Sequence, residues 1–563
     1  MKNLCLVLLI VSNLSYGQSD LPQDYFNNPL EIPLILSGSF GELRSNHFHS
    51  GLDIKTQQKE GFPIYAPADG FVNRIKVAHY GYGKALYIKH PNGYRTVYAH
   101  LQKYAGAIQE FVKLKQYQNE TFEIELFPEP EQLAVKKGDI IGYTGNSGSS
   151  GGPHLHFEIR DSSSRPMNPM LFGIEIPDTK KPLVNTVMAY PIDEFSHVNG
   201  SQNPVKLRLI LQKDGSYKAE KISALGRIGF GVSTYDQQDG ASNKNGVYQI
   251  KTSFNGDEQY NILFEKFSFD ETRYLNRFID YGYFKNNKSR IQKLFRQTNN
   301  PLSIIKNEVD NGYVFADDGF TANFTIDITD FRGNIVQISV PIDGKEIEIS
   351  EPRVEEPTLD YIYANQATSI TKEKFGIYIP SNSLYENTYL DIQVNGDTLK
   401  FHKDNIPIHK NITLTVDASN YSTADISKLF IGRLNYKGEP YFNNTSKKGN
   451  KLSARVRTFG SYILVADTIP PTIKAVNFDD GKWISKNSTL KMKIEDDMSG
   501  ISSYRATVNG KYILTEYNYK TDVLTYDFDD KVTIDGENNL KLNVIDNVGN
   551  STTFEATFFR KQS

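Results

Sequence analysis

The sequence predicts a mainly β protein made of several domains. Its 563 residues suffice for three or four domains of about 150 residues each. Tyrosine (34) and phenylalanine (33) are abundant, and 41 glycines and 24 prolines are available for turns. This composition favours strands joined by turns. Beyond residue 172, short alternating apolar runs are separated by Gly, Asn, Asp and Pro, which is the pattern of β-sandwiches.

The charge balance excludes some classes of function. Lysine plus arginine (63) nearly cancels aspartate plus glutamate (66), for a net charge of -3. A protein that mainly binds nucleic acid or an anionic membrane normally carries a basic excess. Hydrophobic residues make up 39% of the chain, which favours folded domains over disorder. We therefore expect no nucleic-acid partner.

The first 17 residues have the pattern of a cleaved signal peptide. Lys2 precedes an apolar run over 4–11, and the small residues Ser15 and Gly17 follow it, as in secretory signals. The alternatives are a buried first strand or a membrane anchor, but the run is shorter than the roughly 20 residues of a transmembrane helix. We expect export to the periplasm or the outside. Cys5, the one cysteine, lies inside this segment, so any metal site in the mature protein must use N and O ligands.

Histidine is rare in the chain but clustered near its start. Seven of the ten histidines fall between positions 47 and 156. His49 and Asp53 are four residues apart, which places them on one face of a strand or of a helix. Gly51 and the apolar neighbours of Asp53 favour an extended segment. This pair is a candidate for metal ligation.

The second histidine group has a period of two. His154, His156 and Glu158 alternate with apolar residues over 154–159, so they share one face of a predicted strand. Catalytic zinc takes three His, Asp or Glu ligands and leaves a position for water. His49, Asp53 and one of the paired histidines supply such a set. The alternative is a surface strand with two solvated histidines.

Two further segments lie between these groups. His100 ends the alternating segment 94–101, and taken alone it is typical of an ordinary half-buried histidine. The glycine-rich loop 145–152 contains no lysine and opens no predicted helix, which argues against a phosphate-binding loop. It favours a close backbone approach to an extended substrate, or a flexible turn.

Together these segments resemble the lysostaphin/LytM-type zinc metallopeptidases, which cleave peptidoglycan peptides. The resemblance spans roughly residues 38–172 and implies an antiparallel β-domain of the duplicated hybrid motif type with one zinc ion. It implies His49, Asp53 and His156 as metal ligands, with His100 and His154 as catalytic residues beside a metal-activated water. The matching segments are His49-Ser-Gly-Leu-Asp53, Pro63-Ile-Tyr-Ala-Pro-Ala-Asp-Gly70, Gly81-Tyr-Gly83, Tyr98-Ala-His-Leu101, Val135-Lys-Lys-Gly-Asp-Ile-Ile-Gly142 and Gly152-Pro-His-Leu-His-Phe-Glu158.

The segment 102–134 departs from that family because it is longer than the usual connection. It contains an amphipathic stretch, followed by alternation over 122–126. We expect a subdomain near the cleft that shapes specificity or covers the site. The alternative is a peripheral hairpin. His47 matches no ligand position and is interpreted as a neighbouring or surface residue.

The chain divides at segments rich in Pro, Ser and Glu. We predict a signal peptide at 1–17, a LytM-like zinc peptidase domain at 18–175 with the insert 102–134, an Ig-like β domain with an insertion at 180–343, a β domain at 357–467 and an Ig-like β domain at 469–563. A weak repeat supports the two Ig-like units: an alternating strand enters Asp330-Phe-Arg-Gly-Asn334 in one and Asp546-Asn-Val-Gly-Asn550 in the other. Gly and Asn suit such hairpin turns.

The predicted function is an exported zinc endopeptidase that hydrolyses peptide bonds in peptidoglycan stem peptides or crosslinks. One alternative is a non-catalytic envelope protein that binds or activates a hydrolase, although such a relative is expected to lose site residues and all five are present. Another is a zinc peptidase directed at proteins. We expect a peptidoglycan peptide as substrate and no transmembrane helix. Binding of an envelope protein through the C-terminal β domains stays open.

Overall fold

The computed structural model describes residues 21–354, 357–528 and 530–561. The predicted signal peptide, residues 1–17, lies outside them. The described chain is mostly β strand, as predicted, and its sheets fall into four successive regions. Within these ranges no helix has the length and apolar character needed to cross a membrane.

The first region contains two sheets, one α-helix and one 3₁₀ turn. The helix α1 spans Gly106–Gln118 and the 3₁₀ turn spans Pro169–Phe172. Its strands are β1 (Leu36–Gly38), β2 (Leu52–Lys55), β3 (Pro63–Tyr65), β4 (Gly70–Val77), β5 (Lys84–Lys89), β6 (Arg95–Ala99), β7 (Lys103–Tyr104), β8 (Ile124–Leu126), β9 (Ala134–Val135), β10 (Ile140–Tyr143), β11 (His154–Arg160) and β12 (Pro166–Met167).

Strand β11 lies in the middle of the larger sheet. The strand order is β1-β2-β11-β6-β5-β4-β8, with β12 added to β11 and β9 added to β4, while β3, β10 and β7 form the smaller sheet. The antiparallel register places His156 opposite Asp53 on β2 and opposite Ala99 on β6. Directly opposed residues project to the same face. The register therefore brings Asp53 and His156 together, and His100 follows immediately after β6.

The alternation predicted for 154–159 is present, but both faces of the strand are buried. Leu155, Phe157 and Ile159 are fully buried on the apolar face. On the polar face, His156 is 3% exposed and Glu158 is fully buried. The polar face is therefore the wall of an enclosed site, and the alternative of two solvated histidines is wrong.

The insert 102–134 forms the short strand β7, the helix α1 and the strands β8 and β9. The helix is amphipathic, as predicted, and buries Ile108 and Val112. Strand β8 pairs with β4 and extends the edge of the larger sheet. The insert is therefore part of the first region's packing, and α1 contacts the last region of the chain, as described below.

The second region is built around a thirteen-stranded sheet. It also contains the short helices Leu275–Phe278 and Tyr281–Asn287 and the 3₁₀ turns Thr272–Tyr274 and Asp310–Gly312. Its strands are Leu183–Pro191, His197–Val198, Val205–Leu207, Leu209–Leu211, Tyr217–Ala219, Ile222–Tyr235, Gln249–Phe254, Asp257–Leu263, Gln292–Lys293, Ile305–Glu308, Val314–Ala316, Thr321–Thr329 and Ile335–Gly344.

The first and second regions share one hydrophobic core. Phe48, beside the candidate ligand His49, is 1% exposed. Its ring centroid lies 5.5 Å from that of Phe267 and 6.2 Å from that of Phe278, both in the second region. Its backbone N–H donates to the Thr272 hydroxyl at 2.7 Å. The segment that carries His49 is therefore anchored by residues more than 200 positions away.

The third region is formed by two five-stranded sheets and a two-stranded one around a separate core. Its helix is Thr423–Lys428. Its strands are Asp360–Ile362, Thr368–Lys372, Phe375–Ile379, Thr388–Leu390, Ile392–Asn395, Thr398–Phe401, Ile412–Asp417, Leu429–Leu434, Pro440–Phe442, Thr445–Lys448, Lys451–Val456 and Gly460–Ala466.

The fourth region has a four-stranded and a five-stranded sheet around its own core. The segment 546–550 joins its last two strands, and Gly549 there has a φ of 82°. Its strands are Thr472–Ala475, Lys482–Trp483, Thr489–Glu495, Ile501–Val508, Lys511–Tyr512, Thr515–Asn518, Val523–Asp527, Gly536–Asp546 and Ser551–Arg560.

The fourth region folds back onto the first. Arg505 Nη2 lies 2.5 Å from Glu120 Oε2, immediately beyond α1. Tyr117 on α1 donates to Asp530 Oδ2 at 2.5 Å. Lys84 on β5 forms an ion pair with Glu516 at 2.7 Å. The insert therefore supplies part of the surface on which the last region docks.

We expect Gly51→Ala to destabilise the first region. A Cβ at Gly51 would lie 2.3 Å from the backbone oxygen of Phe157 on β11, and backbone cannot move aside as a flexible side chain can. Overpacking of this kind costs about 1–3 kcal/mol. The apparent midpoint of thermal unfolding should fall.

Gly151→Ala is the matched control, because a Cβ at Gly151 meets nothing within 4 Å. It should leave the midpoint close to that of the unaltered protein. Equal midpoints for the two variants would contradict the close approach between the segment before β2 and strand β11.

Candidate active site

Three side-chain atoms converge at the centre of the enclosed site. His49 Nε2 lies 3.0 Å from Asp53 Oδ1, and His156 Nδ1 lies 2.8 Å from the same oxygen. The two ring nitrogens are 3.1 Å apart. His49 precedes strand β2 rather than lying on it, while Asp53 and His156 face each other across the β2–β11 pair. The structure thus brings the three predicted ligands together, and they form one of its groups able to hold a metal.

Each of these two imidazoles is held by an acceptor at its other nitrogen. His49 Nδ1 lies 2.7 Å from the backbone oxygen of Ser39, and His156 Nε2 lies 2.8 Å from Glu158 Oε1. We assign the ring protons to those nitrogens because only a donor can bind a carbonyl or a carboxylate oxygen. His49 Nε2 and His156 Nδ1 then present lone pairs to the centre of the site.

Arg44 fixes the orientation of Asp53. Its Nη2 donates to Asp53 Oδ2 at 2.8 Å, which leaves Oδ1 facing the centre of the site. Burial opposes ionisation of Asp53, but His49, His154 and His156 hold its pKa well below the usual range. The carboxylate is therefore ionised. Sequence reasoning missed Arg44, although it lies only nine residues before Asp53.

A buried hydrogen-bond network holds the His156 ring at Nε2, on the side away from Asp53. Glu158 accepts from His156 and from Arg160 Nε at 2.5 Å, and it also accepts from the hydroxyls of Ser50 and Tyr82. Despite complete burial, Arg160 and His156 hold the pKa of Glu158 well below its usual value. The sequence pattern had placed Glu158 on this face. Arg160 continues the same period of two and could have been included.

The donor set fits a zinc ion. Ligand atoms about 2.0–2.1 Å from a tetrahedral zinc lie about 3.3 Å from one another, close to the spacings found here. Two lone pairs that face each other at 3.1 Å repel unless a positive charge lies between them. Without a metal, a proton supplies that charge: burial opposes it, but hydrogen bonds and charges from Asp53 and Glu158 raise the pKa of His156 to about 9. The site thus favours a cation at its centre.

His100 and His154 flank this centre. Their ring centroids are 4.8 Å apart, and His154 Nε2 lies 3.5 Å from Asp53 Oδ1. His100 Nδ1 lies 2.9 Å from the backbone oxygen of Ser147, and His154 Nδ1 lies 2.8 Å from that of Gly152. The same assignment of ring protons leaves Nε2 free on both rings. All five predicted site residues therefore meet, whereas His47 is exposed.

Burial sets the charge state of His100. It is 8% exposed, and burial together with His156 and His154 lowers its pKa to about 3. It is therefore neutral at pH 7. Its backbone has a φ of 62°, a conformation that side-chain-bearing residues seldom adopt and that clusters at functional sites.

The glycine-rich loop makes its close approach to another part of the same chain. A Cβ at Gly148 would lie 2.3 Å from the backbone nitrogen of Gly83. Both residues have a positive φ, 68° and 63°. This contact accounts for two glycines of the predicted motifs. Gly151 and Gly152 have open space where a Cβ would lie, so this part of the loop can receive an extended chain.

The fourth region holds the first half of that loop. Lys520 Nζ donates to the backbone oxygen of Asn146 at 2.6 Å, and the Tyr519 hydroxyl donates to that of Gly148 at 3.3 Å. The Tyr519 ring also lies 4.5 Å from that of Tyr80. None of these three contacts could be predicted from sequence, because each joins residues more than 350 positions apart.

Comparison with known proteins matches the segment of the chain that carries these residues. The model of peptidase family M23 matches residues 47–118 and 129–169. The DD-carboxypeptidase/endopeptidase Mpg of Neisseria meningitidis serogroup B is 33% identical over 136 residues, which cover 24% of this chain and 25% of that protein. This chain carries a LytM-type domain of peptidase family M23.

Other relatives match the same M23 domain. The peptidoglycan DD-endopeptidase ShyB of Vibrio cholerae serotype O1 is 30% identical over 160 residues, which cover 28% of this chain and 31% of that protein. The solved catalytic domain of lysostaphin from Staphylococcus simulans is 25% identical, with 24% of this chain and 90% of that chain covered and a TM-score of 0.18. The assignment rests on the family model and the sequence relatives.

The matches leave much of the chain without a peptidase counterpart. The chain spans about a quarter of the length of the first curated relatives that it matches. Residues 119–128, inside the insert, fall between the two matched segments. A Zu5-like domain model matches residues 359–467 in the third region.

We expect loss of the Tyr519 and Lys520 contacts to loosen the loop beside the M23 site. In the double variant Tyr519→Phe, Lys520→Ala, backbone amides of residues 146–152 should exchange with solvent faster, because three hydrogen bonds to that loop are removed. Hydrogen exchange read by mass spectrometry measures this directly.

Lys511→Ala provides the control, since Lys511 is an exposed lysine of the same region. It should leave loop exchange unchanged. Amides of β11 should stay protected in both variants. Unaltered loop exchange in the double variant would mean that the fourth region does not hold the loop.

Proposed function

We propose that this protein is an exported, zinc-dependent endopeptidase that hydrolyses peptide bonds in peptidoglycan stem peptides or crosslinks. The observation that carries the proposal is the convergence of His49 Nε2, Asp53 Oδ1 and His156 Nδ1 within 3.1 Å of one another, flanked by a second pair of imidazoles. His49, Asp53 and His156 are the proposed ligands of one zinc ion. His100 and His154 are the proposed catalytic residues.

Zinc in this position would supply a Lewis acid that polarises a peptide carbonyl and makes water more acidic. The chain's own residues orient the ligands of that ion. Ser39 and Glu158 hold the two ligand imidazoles in the tautomers that present lone pairs. Second-sphere partners of this kind fix the orientation of the ligands and raise their basicity.

The proposed role of His100 and His154 is proton transfer. Each donates from Nδ1 to a backbone oxygen and presents Nε2 to the site. A neutral imidazole can accept a proton from water and return it to the leaving amine. These hydrogen bonds to backbone carbonyls fix the direction in which each Nε2 points.

The substrate and the location are inferred from the relatives and from the start of the chain. The relative Mpg is named a DD-carboxypeptidase/endopeptidase, and the relative ShyB is named a peptidoglycan DD-endopeptidase. Peptidoglycan lies outside the cytoplasm, and residues 1–17 have the pattern of a secretory signal. We therefore propose action in the periplasm or outside the cell.

Digestion of purified peptidoglycan by the full chain tests this function. Mass spectrometry should detect released peptides in the presence of zinc, and chelation should stop the release until zinc is restored. His156→Ala should abolish release because it removes one of three ligands. His47→Ala is the matched control, since this neighbouring histidine is exposed, and it should retain activity.

The products would identify the bond that is cleaved. If the protein binds one zinc ion per chain but releases no peptide from peptidoglycan, the proposed endopeptidase activity is wrong. If His156→Ala still releases peptides, the proposed site is wrong. If the enzyme cleaves a protein substrate and leaves peptidoglycan intact, it is a peptidase directed at proteins.

The zinc content of single variants should distinguish the proposed zinc ligands from the proposed catalytic residues. We expect His100→Ala and His154→Ala to keep zinc and to lower kcat by about 10²- to 10⁴-fold, the range for loss of a general acid or base. His49→Ala and Asp53→Ala should lose zinc together with activity. The measurements are zinc per chain by atomic emission and kcat on a soluble crosslinked peptide. Loss of zinc from His100→Ala would make His100 a ligand.

A further inference from the structure

Outside the histidine site, three carboxylates meet at the junction of the first and second regions. Asp178 lies in the segment that connects the two regions. Asp236 directly follows the strand Ile222–Tyr235, and Asp330 directly follows the strand Thr321–Thr329. One oxygen from each lies within 4.8 Å of the others. No residue of this trio takes part in the proposed peptidase chemistry.

Two buried oxygens at this junction have no hydrogen-bond partner. Asp236 is 3% exposed and Gln238 is 5% exposed, and the unpartnered atoms are Asp236 Oδ1 and Gln238 Oε1. Asp178, Asp236 and Gln238 line a cavity of about 20 Å³, room for one water-sized guest. Buried acceptors without a donor cost free energy. The cavity therefore suits a guest that carries positive charge.

Two cationic side chains at this junction bind backbone oxygens: Lys180 Nζ donates to that of Gln238 at 3.0 Å, and Arg332 Nε, from a residue that also lines the cavity, donates to that of Ile176 at 2.9 Å. Within the described residues, no salt bridge joins any of the three carboxylates to a lysine or arginine side chain. Backbone groups supply neutral partners: Lys180 N donates to Asp178 Oδ1 at 3.1 Å and Arg332 N to Asp330 Oδ1 at 2.8 Å. Burial, with the charges of Asp178 and Asp330, raises the pKa of Asp236.

We propose that Asp178, Asp236 and Asp330, with the amide oxygen of Gln238, bind one Ca²⁺ ion. All four donors are oxygens, which hard cations prefer, and no imidazole or thiolate is available to favour zinc. Three carboxylates provide a charge that a divalent cation compensates in large part. Ca²⁺ also accepts irregular oxygen geometry from separate loops, whereas Mg²⁺ requires near-octahedral ligands and retains its waters.

The ion would tie this junction to the ligand His49. Asp236 and Asn245 exchange backbone hydrogen bonds of 2.9 Å across the loop between them. The next residue, Gly246, donates its N–H to the Ser39 hydroxyl at 2.9 Å. The backbone oxygen of Ser39 in turn accepts from His49 Nδ1. Bound Ca²⁺ would therefore stabilise the loop against which the first region orients His49.

A related trio occurs in the fourth region. Asp467, Asp496 and Asp546 also bring their oxygens within 4.8 Å, and Asp546 begins the turn that parallels the one at Asp330. Among the described residues, however, no oxygen of this second trio is both buried and unpartnered. The proposal therefore concerns the first trio only.

Equilibrium dialysis of the full chain against Ca²⁺ tests the proposal. The protein is first treated with a calcium chelator and its zinc is then restored. The variants are Asp236→Asn and, as matched control, Asp239→Asn, which removes the same charge from the same loop outside the trio. Asp236→Asn should bind one Ca²⁺ fewer per chain than the unaltered protein and Asp239→Asn. The lost site should have a Kd at or below about 1 mM, as in extracellular modules.

Thermal unfolding gives a second readout that does not depend on activity. Millimolar Ca²⁺ should raise the unfolding midpoint of the unaltered protein and of Asp239→Asn, because a ligand that binds only the folded state stabilises it. Asp236→Asn should lack that increase. Without Ca²⁺ its midpoint should equal or exceed that of the unaltered protein, since the amide removes one of three like charges.

Three results would overturn the proposal. They are the absence of bound Ca²⁺ in the unaltered protein at millimolar concentration, the same number of bound ions in Asp236→Asn, and an equal Ca²⁺-dependent shift in both variants. If Asp236→Asn fails to fold, as judged by circular dichroism, Asp330→Asn is measured in its place. A midpoint that rises equally with Mg²⁺ would indicate a different cation.

Discussion

Enclosing four imidazoles and an ionised carboxylate in one site requires a partner for the second nitrogen of every ring. Ser39, Ser147 and Gly152 provide backbone oxygens for three of the rings, and Glu158 provides a carboxylate for the fourth. Without these acceptors each ring would bury an unpaired N–H, at a cost of about 1–3 kcal/mol. The same bonds turn the remaining nitrogens inward. The same hydrogen bonds therefore stabilise the rings and orient the nitrogens that face the site.

Those acceptors are themselves held by distant parts of the chain. Ser39 is fixed through Gly246, 207 residues away, and Phe48 packs among aromatic rings of the second region. The oxygen of Ser147 belongs to the loop that the fourth region contacts. A peptidase domain cut out at residue 175 would expose Phe48 and release Ser39. The second and fourth regions are therefore part of the architecture of the site.

Whether the sequence predicts a contact in the site depends on how far apart its two residues are along the chain. The alternation around His154 and His156 predicted the strand and its two faces because a period of two is a local property. The pairing of Asp53 with His156 could be inferred only through the family resemblance, since register is set by the whole sheet. Arg44, Ser39 and the anchoring of Phe48 were not predicted. Their roles depend on side chains brought together by tertiary packing, which no spacing encodes.

The placement of the fourth region constrains how a substrate can enter. Its residues cover the loop at Asn146 and Gly148, while Gly151 and Gly152 stay open. A cavity of about 750 Å³ separates the two regions behind the covered half. For the proposed peptidase, this leaves the open half, beside Gly152, as the approach for an extended peptide, and the Gly152 carbonyl orients His154. Because the docking surface includes Tyr117 and Glu120 of the insert, a change at either residue would weaken the contact between the first and fourth regions without touching a site residue.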